Sequence, residues 1–158
     1  MNHKRGSKPR ALIVGVSGQD GAYLSKFLIH KGYDVFGTSR DIKNASFFGL
    51  KSLGVDSKVN QVEMDPCDFD SVYNIISSIE PHEVYNLAAQ SSVGLSFKQP
   101  AETIRSITVV TLNILEAIRL LQKGTKFYNA GSGEVFGDTM GRPADETAEF
   151  NPVSPYGM

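Results

Sequence analysis

Short apolar runs alternate along this chain with segments whose apolar residues recur at helical spacing. Ala11 to Val16 reads ALIVGV, an apolar run of the kind a parallel strand covered on both faces requires. Asp20 then precedes a helical pattern in which Leu24, Phe27, Leu28 and Lys31 fall at near-helical spacing, and Tyr33 to Ser39 is a second strand. Asp41 to Ser57 reads as a loop and a short helix carrying Phe47, Phe48, Leu50 and Leu53. Lys58 to Met64 is a third strand. Asp68 is a good N-cap residue for a helix reaching about Ile79, with Val72, Ile75, Ile76 and Ile79 as its apolar face and Pro81 ending it. Glu83 to Ala88 is the fourth strand. A long helix follows Pro100, its buried stripe predicted as Ile104, Ile107, Val110, Thr111, Ile114, Leu115, Ile118 and Leu121, with Gly124 as its C-terminal cap. Thr125 to Ala130 is the fifth strand, and the last twenty residues, with Pro143, Pro152 and Pro155, are loop-like. Strands alternating with helices predict an α/β fold, a doubly wound parallel sheet of Rossmann-like type with right-handed crossovers.

Composition narrows the function classes. At 158 residues the chain has the size of one domain, and 41% hydrophobic with 21% charged residues is ordinary for a globular protein. A formal net charge of −1 argues against a general electrostatic partnership with nucleic acid. No apolar run approaches membrane-spanning length and no signal-peptide core follows the start, so no membrane partner is expected and the chain reads as cytoplasmic. Cys67 is the one cysteine, which excludes an internal disulfide and leaves no cysteine-rich metal site. The basic start MNHKRGSKP, residues 1–9, reads as a disordered tail ahead of the first strand.

The chemistry concentrates where the first strand meets its helix. Glycines stand at 15, 18 and 21. A dinucleotide pyrophosphate reaches the bare amides and positive dipole end of a helix only where no Cβ blocks it. Gly15 allows the turn, Gly18 the contact with phosphate, and Gly21 the close packing of helix on strand. The spacing is G-x-x-G-x-x-G rather than G-x-G-x-x-G, and a glycine triplet alone also fits a flexible turn. The strand before it and the helix and strand after it favour a dinucleotide. An NAD site puts Asp or Glu about 20 residues beyond the glycines, whereas an arginine there receives the 2′-phosphate of NADP. The second strand ends Thr38-Ser39-Arg40, which favours NADP; Asp41, one residue on, keeps NAD open. After the fourth strand, Ala88 and Ala89 let a flat ring or ribose approach the backbone, and Gln90, Ser91 and Ser92 supply donors on the same edge.

Taken together, ALIVGVSGQDGAYL, YNLAAQSSVGLSF, NAGSGEVFGD and NPVSPYGM resemble the amino-terminal half of the extended short-chain dehydrogenases/reductases. Within that superfamily, GQDG, AAQSSV and SPYG resemble the GDP-mannose 4,6-dehydratases. The resemblance implies that Gly15, Val16, Ser17, Gly18, Gln19 and Asp20, with Gly21 behind them, hold the pyrophosphate. Arg40 would take the 2′-phosphate, Asp65 and Pro66 the adenine edge, and Leu87, Ala88, Ala89, Gln90 and Ser91 the nicotinamide ribose. It also implies three catalytic residues. Ser132 stands at a position the family gives to threonine and would hydrogen-bond the oxygen at C4 of the sugar. Tyr156 would take the 4-OH proton as hydride leaves C4, and Glu134 would remove the C5 proton so that water is lost at C6 before hydride returns there. The substrate so implied is a nucleotide sugar, the enzyme a lyase with NADP as its cofactor, and the full-length assembly a homo-oligomer.

Two departures qualify the resemblance. The family's lysine, four residues after the tyrosine, would be residue 160, beyond Met158, and Glu102 stands where the family has an aromatic residue. Residues 10–158 are therefore expected to form an NADP-binding Rossmann domain with the substrate domain missing, inactive by itself. The competing expectations are a sugar-nucleotide epimerase or reductase of the same superfamily, which needs no C5 base for elimination, and a catalytically inactive NADP-binding fragment.

Overall fold

In the computed structural model, which describes residues 8–158, five strands form one parallel sheet. They are β1 (Arg10–Val14), β2 (Asp34–Ser39), β3 (Val59–Glu63), β4 (Glu83–Asn86) and β5 (Lys126–Asn129), in the order β3-β2-β1-β4-β5. Leu12 lies opposite both Phe36 and Val84, so β1 is the central strand. Its side chains alternate between two cores. Ala11 and Ile13 enter one with Leu28 and Leu50, while Leu12 and Val14 enter the other with Val72 and Ile114. That two-sided burial is why the strand is apolar without alternation.

Helices α1 (Gln19–His30) and α2 (Phe48–Ser52) cover the first face; α3 (Phe69–Ile79) and α6 (Val110–Leu121) cover the second. Asp68 caps α3 by accepting from the Asp70 amide at 3.3 Å, as its residue type predicts. The helix read at Leu24, Phe27 and Leu28 is present, and the face it buries is mostly of small residues. Its buried residues are Gly21, Ala22, Ser25 and Leu28, whereas Phe27 is 54% exposed. Small residues bring this helix down onto the sheet, and the Ser25 hydroxyl satisfies itself on the Gly21 carbonyl at 2.7 Å.

The long helix expected after Pro100 is three pieces. α5 (Pro100–Ile104) passes into a π-helical segment, Arg105–Val109, and then into α6. The wider π turn shifts the helical phase, so the buried residues are Thr103, Val110, Ile114 and Ala117, while Ile104 (41%) and Leu115 (44%) face outward. α6 ends on Gln122, which takes the left-handed conformation (φ 47°) expected of a glycine, and Gly124 turns the chain two residues later. A helix unforeseen in the sequence, α4 (Val93–Lys98), precedes α5; Ser92 caps it by accepting from the Leu95 amide at 3.2 Å. A 3-10 turn, Gly133–Phe136, follows β5.

Residues 1–7 of the expected tail lie outside the described residues. Its last two residues are anchored: the Asp34 amide donates to the Pro9 carbonyl at 2.9 Å, and Lys8 Nζ lies 3.9 Å from Asp34 Oδ1. Among the described residues no helix is long and apolar enough to cross a membrane, and no cluster of His, Cys, Asp and Glu is placed to hold a metal.

Candidate functional site

Because every strand runs the same way, all five carboxyl ends open on one rim, and the strand order reverses there between β1 and β4. Open sheets of this type bind ligands at that switch point. A cavity of about 640 Å³ lies on this rim, within the range of small-molecule sites. Its floor is the turn from β1 to α1. Gly15 has φ +89°, and a Cβ built on it would stand 3.0 Å from the Ala88 backbone; only glycine fits a positive φ with the neighbouring chain so near. Gly21 is held closer still. A Cβ there would lie 2.7 Å from both the Gly15 carbonyl oxygen and the Val16 Cα, so α1 starts directly behind the turn.

The first i→i−4 bond of α1 joins the Ala22 amide to the Gly18 carbonyl at 3.1 Å. The amides of Gln19, Asp20 and Gly21 precede it and find no backbone acceptor among the described residues. Bare amides at a helix start that directly follows a cavity floor of Gly15, Ser17 and Gly18 suit an anion such as a diphosphate. The residues present therefore fit a dinucleotide. Val16 contributes backbone only: its side chain is buried under β2, where a Cβ on Gly37 would be 2.6 Å from Val16 Cγ2. Neither it nor Gln19, Asp20 and Gly21 lines the cavity.

The β2 side of the cavity is lined by Arg40, Asp41 and Asn44. Asp41 is spent on its own turn. Its Oδ1 accepts from the Lys43 and Asn44 amides at 3.1 and 3.0 Å, and its Oδ2 from Asn44 Nδ2 at 2.7 Å. The side-chain bond from Asn44, then its backbone bond, hold the Asp41 carboxyl below its ordinary value. Arg40 is exposed and makes no salt bridge among the described residues. On the β3 side Pro66 and Cys67 form the wall, while Asp65 is exposed and outside the lining, its Oδ1 held in its own turn by the Cys67 amide at 3.0 Å.

Beyond β4 the wall is Leu87, Ala88, Ala89 and Gln90. The expectation of three free donors here is corrected. Gln90 Nε2 donates to Thr103 Oγ1 and to the Ser92 carbonyl, both at 3.0 Å, and its Oε1 accepts from the Ser92 amide. Ser92 is occupied in capping α4; Ser91 is exposed and outside the lining. Asn44, Cys67, Glu102 and Ser106 line the cavity as well. Apart from Glu102, no local motif marks them, and the fold brings them in from elements distant in sequence.

Ser132, Glu134 and Tyr156 lie outside the lining, yet the chain gathers them on the same rim. The Ala130 amide donates to the Asn86 carbonyl at 3.0 Å, extending β5 past the end of β4. Ser132 Oγ then accepts from the Glu134 amide at 3.2 Å, opening the 3-10 turn. The last segment folds back on that turn. The Asn151 amide donates to the Val135 carbonyl at 3.0 Å, and Phe150 meets Phe136 edge-on with ring centroids 5.7 Å apart. Gly157 approaches so closely that a Cβ on it would be 2.6 Å from the Glu134 carbonyl oxygen. Tyr156, half-buried, is thereby laid beside the turn carrying Ser132 and the exposed Glu134.

The sequence pattern of the GDP-mannose 4,6 dehydratase family matches residues 12–158. This chain belongs to that family. The GDP-mannose 4,6-dehydratase of Vibrio cholerae is 40% identical over 158 residues, covering 96% of this chain and 42% of the relative. GDP-mannose 4,6 dehydratase 1 of Arabidopsis thaliana is 42% identical over 161 residues, covering 94% of this chain and 44% of its own length. The chain thus spans under half the length of the curated dehydratases it matches. Among solved structures, the UDP-glucose 4-epimerase of Thermus thermophilus in complex with NAD superposes with a TM-score of 0.80 at 27% identity, covering 94% of this chain and 46% of that one. The Rossmann-like sheet expected from the sequence is thus shared by dehydratase relatives and epimerase neighbours.

Proposed function

We propose that this chain is the coenzyme-holding part of a GDP-mannose 4,6-dehydratase, a lyase, and that it takes NADP rather than NAD. The observation that carries the coenzyme choice is at the tip of β2. The carboxylate that would accept from a ribose 2′-OH is consumed by Asn44 and Lys43, while the neighbouring guanidinium lines the cavity with no acidic partner among the described residues. Calorimetric titration tests it. NADP⁺ is expected to bind at least about tenfold more tightly than NAD⁺, the worth of a hydrogen bond to a charged group, and Arg40→Ala to remove that preference with NAD⁺ affinity unchanged. Equal affinities in the parent chain would overturn the choice.

When bound, the nicotinamide supplies hydride uptake and return. The chain's own residues handle protons. Tyr156 would receive the proton of the sugar 4-OH at its phenolic oxygen. The Glu134 carboxylate would take the C5 proton once a 4-keto group has acidified it. Ser132 retains its O–H for an oxygen at C4, since its Oγ here only accepts. The packing of Gly157 on the Glu134 carbonyl supports treating the three as one site. A 4-epimerase reading has its solved structures as neighbours, but 40% identity to dehydratases against 27%, and an acidic residue at 134, favour elimination. The reading brings with it a nucleotide-sugar partner, self-assembly of the full-length protein into a homo-oligomer, a cytoplasmic setting, and a substrate domain following residues 10–158 in the longer relatives. Residues 10–158 by themselves are expected to hold coenzyme without converting GDP-mannose, because among the described residues no hydrogen bond or ion pair brings an ammonium to Tyr156 to draw it toward phenolate; formation of the 4-keto-6-deoxy sugar would contradict this.

A further inference from the structure

The loop after β4 is shaped from behind by two hydroxyls that no motif points to. Thr103, fully buried at the end of α5, donates from Oγ1 to the Gln99 carbonyl at 2.9 Å and accepts from Gln90 Nε2 at 3.0 Å. Ser106, in the π-helical segment, donates from Oγ to the Thr103 carbonyl at 2.9 Å and accepts the Gln90 amide at 3.3 Å. Each hydroxyl therefore spends its one proton on the helix and offers a lone pair to Gln90. With the Ser92 carbonyl and amide taking what is left, the Gln90 side chain has no donor to spare for a ligand.

We propose that Thr103 and Ser106 are positioning residues for the coenzyme: acting through Gln90, they fix the Ala88–Gln90 wall that receives the nucleoside lying on the β4 side of the glycine turn. The inference rests on the dinucleotide reading above and goes beyond it in assigning a specific job to the α5–α6 junction. Three observations converge. Ser106, within the π turn, and Val110, directly after it, both line the cavity. π turns inside helices are frequent at functional sites. The clamp is also one-sided: β1 lies between β2 and β4, so Arg40 and Gln90 stand at opposite ends of the cavity, and the clamp touches only the Gln90 end.

That asymmetry supplies the test. NADP⁺ spans both ends, whereas adenosine 2′,5′-bisphosphate reaches only the Arg40 side. Thr103→Val and Ser106→Ala are each expected to weaken NADP⁺ roughly 5- to 10-fold, the usual worth of one lost hydrogen bond. Binding of the bisphosphate should stay within about twofold, and Ser106→Thr, which keeps the hydroxyl, should restore NADP⁺ affinity. Unchanged NADP⁺ affinity in both variants overturns the clamp. So does a parallel loss for both ligands, the signature of general unfolding. A parent chain that binds neither ligand overturns the dinucleotide reading and the clamp with it, and no variant is needed to see that.

Discussion

The two rims of this sheet are built from the same five strands and end differently. At the amino rim, most charged side chains pair with one another, although the buried Arg10 Nε finds no hydrogen-bond partner among the described residues. Glu80 takes Lys123 Nζ at 2.7 Å and Arg10 at 3.6 Å, and His82 Nδ1 accepts the Arg10 amide at 3.1 Å. Glu83 accepts from the Tyr33 and Tyr85 hydroxyls at 3.2 and 2.6 Å. A hollow of about 420 Å³ remains there, lined by the paired Arg10, Glu80 and Lys123 and by Lys126. At the carboxyl rim the hollow is larger, its floor holds Gly15 and Gly18, and the bare amides of the α1 start follow directly behind. Charge density alone would pick the wrong end. A glycine floor that no Cβ blocks, next to a helix start with bare amides, marks the ligand site, whereas a rim crossed by ion pairs marks a seam.

That contrast is breakable. Gly21→Ala would push a methyl to 2.7 Å from two backbone atoms; overpacking of this kind costs about 1–3 kcal/mol, and the displaced α1 should lose NADP⁺. Urea unfolding together with calorimetry checks both, and an unshifted midpoint would mean that the rim tolerates bulk. Next in size, Asn44→Ala unties the Asp41 carboxylate, so the preference for NADP⁺ over NAD⁺ should narrow by roughly fivefold, about one hydrogen bond; an unchanged ratio would show that Asp41 is excluded by more than Asn44. At the opposite rim, Tyr85 has its pKa raised above the ordinary tyrosine value, by burial first and by Glu83 next. A raised folded pKa gives stability that is whole below the unfolded value of about 10 and is lost as pH climbs toward the folded value. Tyr85→Phe should therefore flatten the alkaline decline between urea midpoints taken at about pH 8 and about pH 10.5. Smallest of all, Lys123→Ala removes an exposed ion pair worth under about 1 kcal/mol and should leave coenzyme affinity untouched; a change in affinity would make the amino rim part of the site.

Much of this can be read from the residues because burial and period agree there. β1 is apolar throughout since both its faces are covered, and Asp68 caps α3 because its side chain reaches the first free amides. Gly15, Gly18, Ala88 and Arg40 are legible for the same reason, each being a local answer to a local demand. Legibility fails where packing overrides period. The buried stripe of α1 is made of small residues, which the helical spacing of Leu24, Phe27 and Leu28 does not reveal, and Phe27 faces out. The π turn at Arg105–Val109 breaks the phase that would put Ile104 and Leu115 inside. Ser92 reads as a ligand donor, although a serine ahead of VGLSF is equally an N-cap. Thr103 and Ser106 are invisible as site residues because their partner, Gln90, lies 13 and 16 positions away and meets them only in the fold.

The contact of Gly157 with the Glu134 carbonyl carries an engineering consequence. Since the stretch bearing Tyr156 is moulded onto the turn bearing Ser132 and Glu134 by main-chain fit and by Phe150 on Phe136, a chimera that joins a foreign sugar-recognising half to this domain would inherit the three proposed acid–base residues already gathered. The donor half would then have to bring only its own pocket and a cation for the phenol.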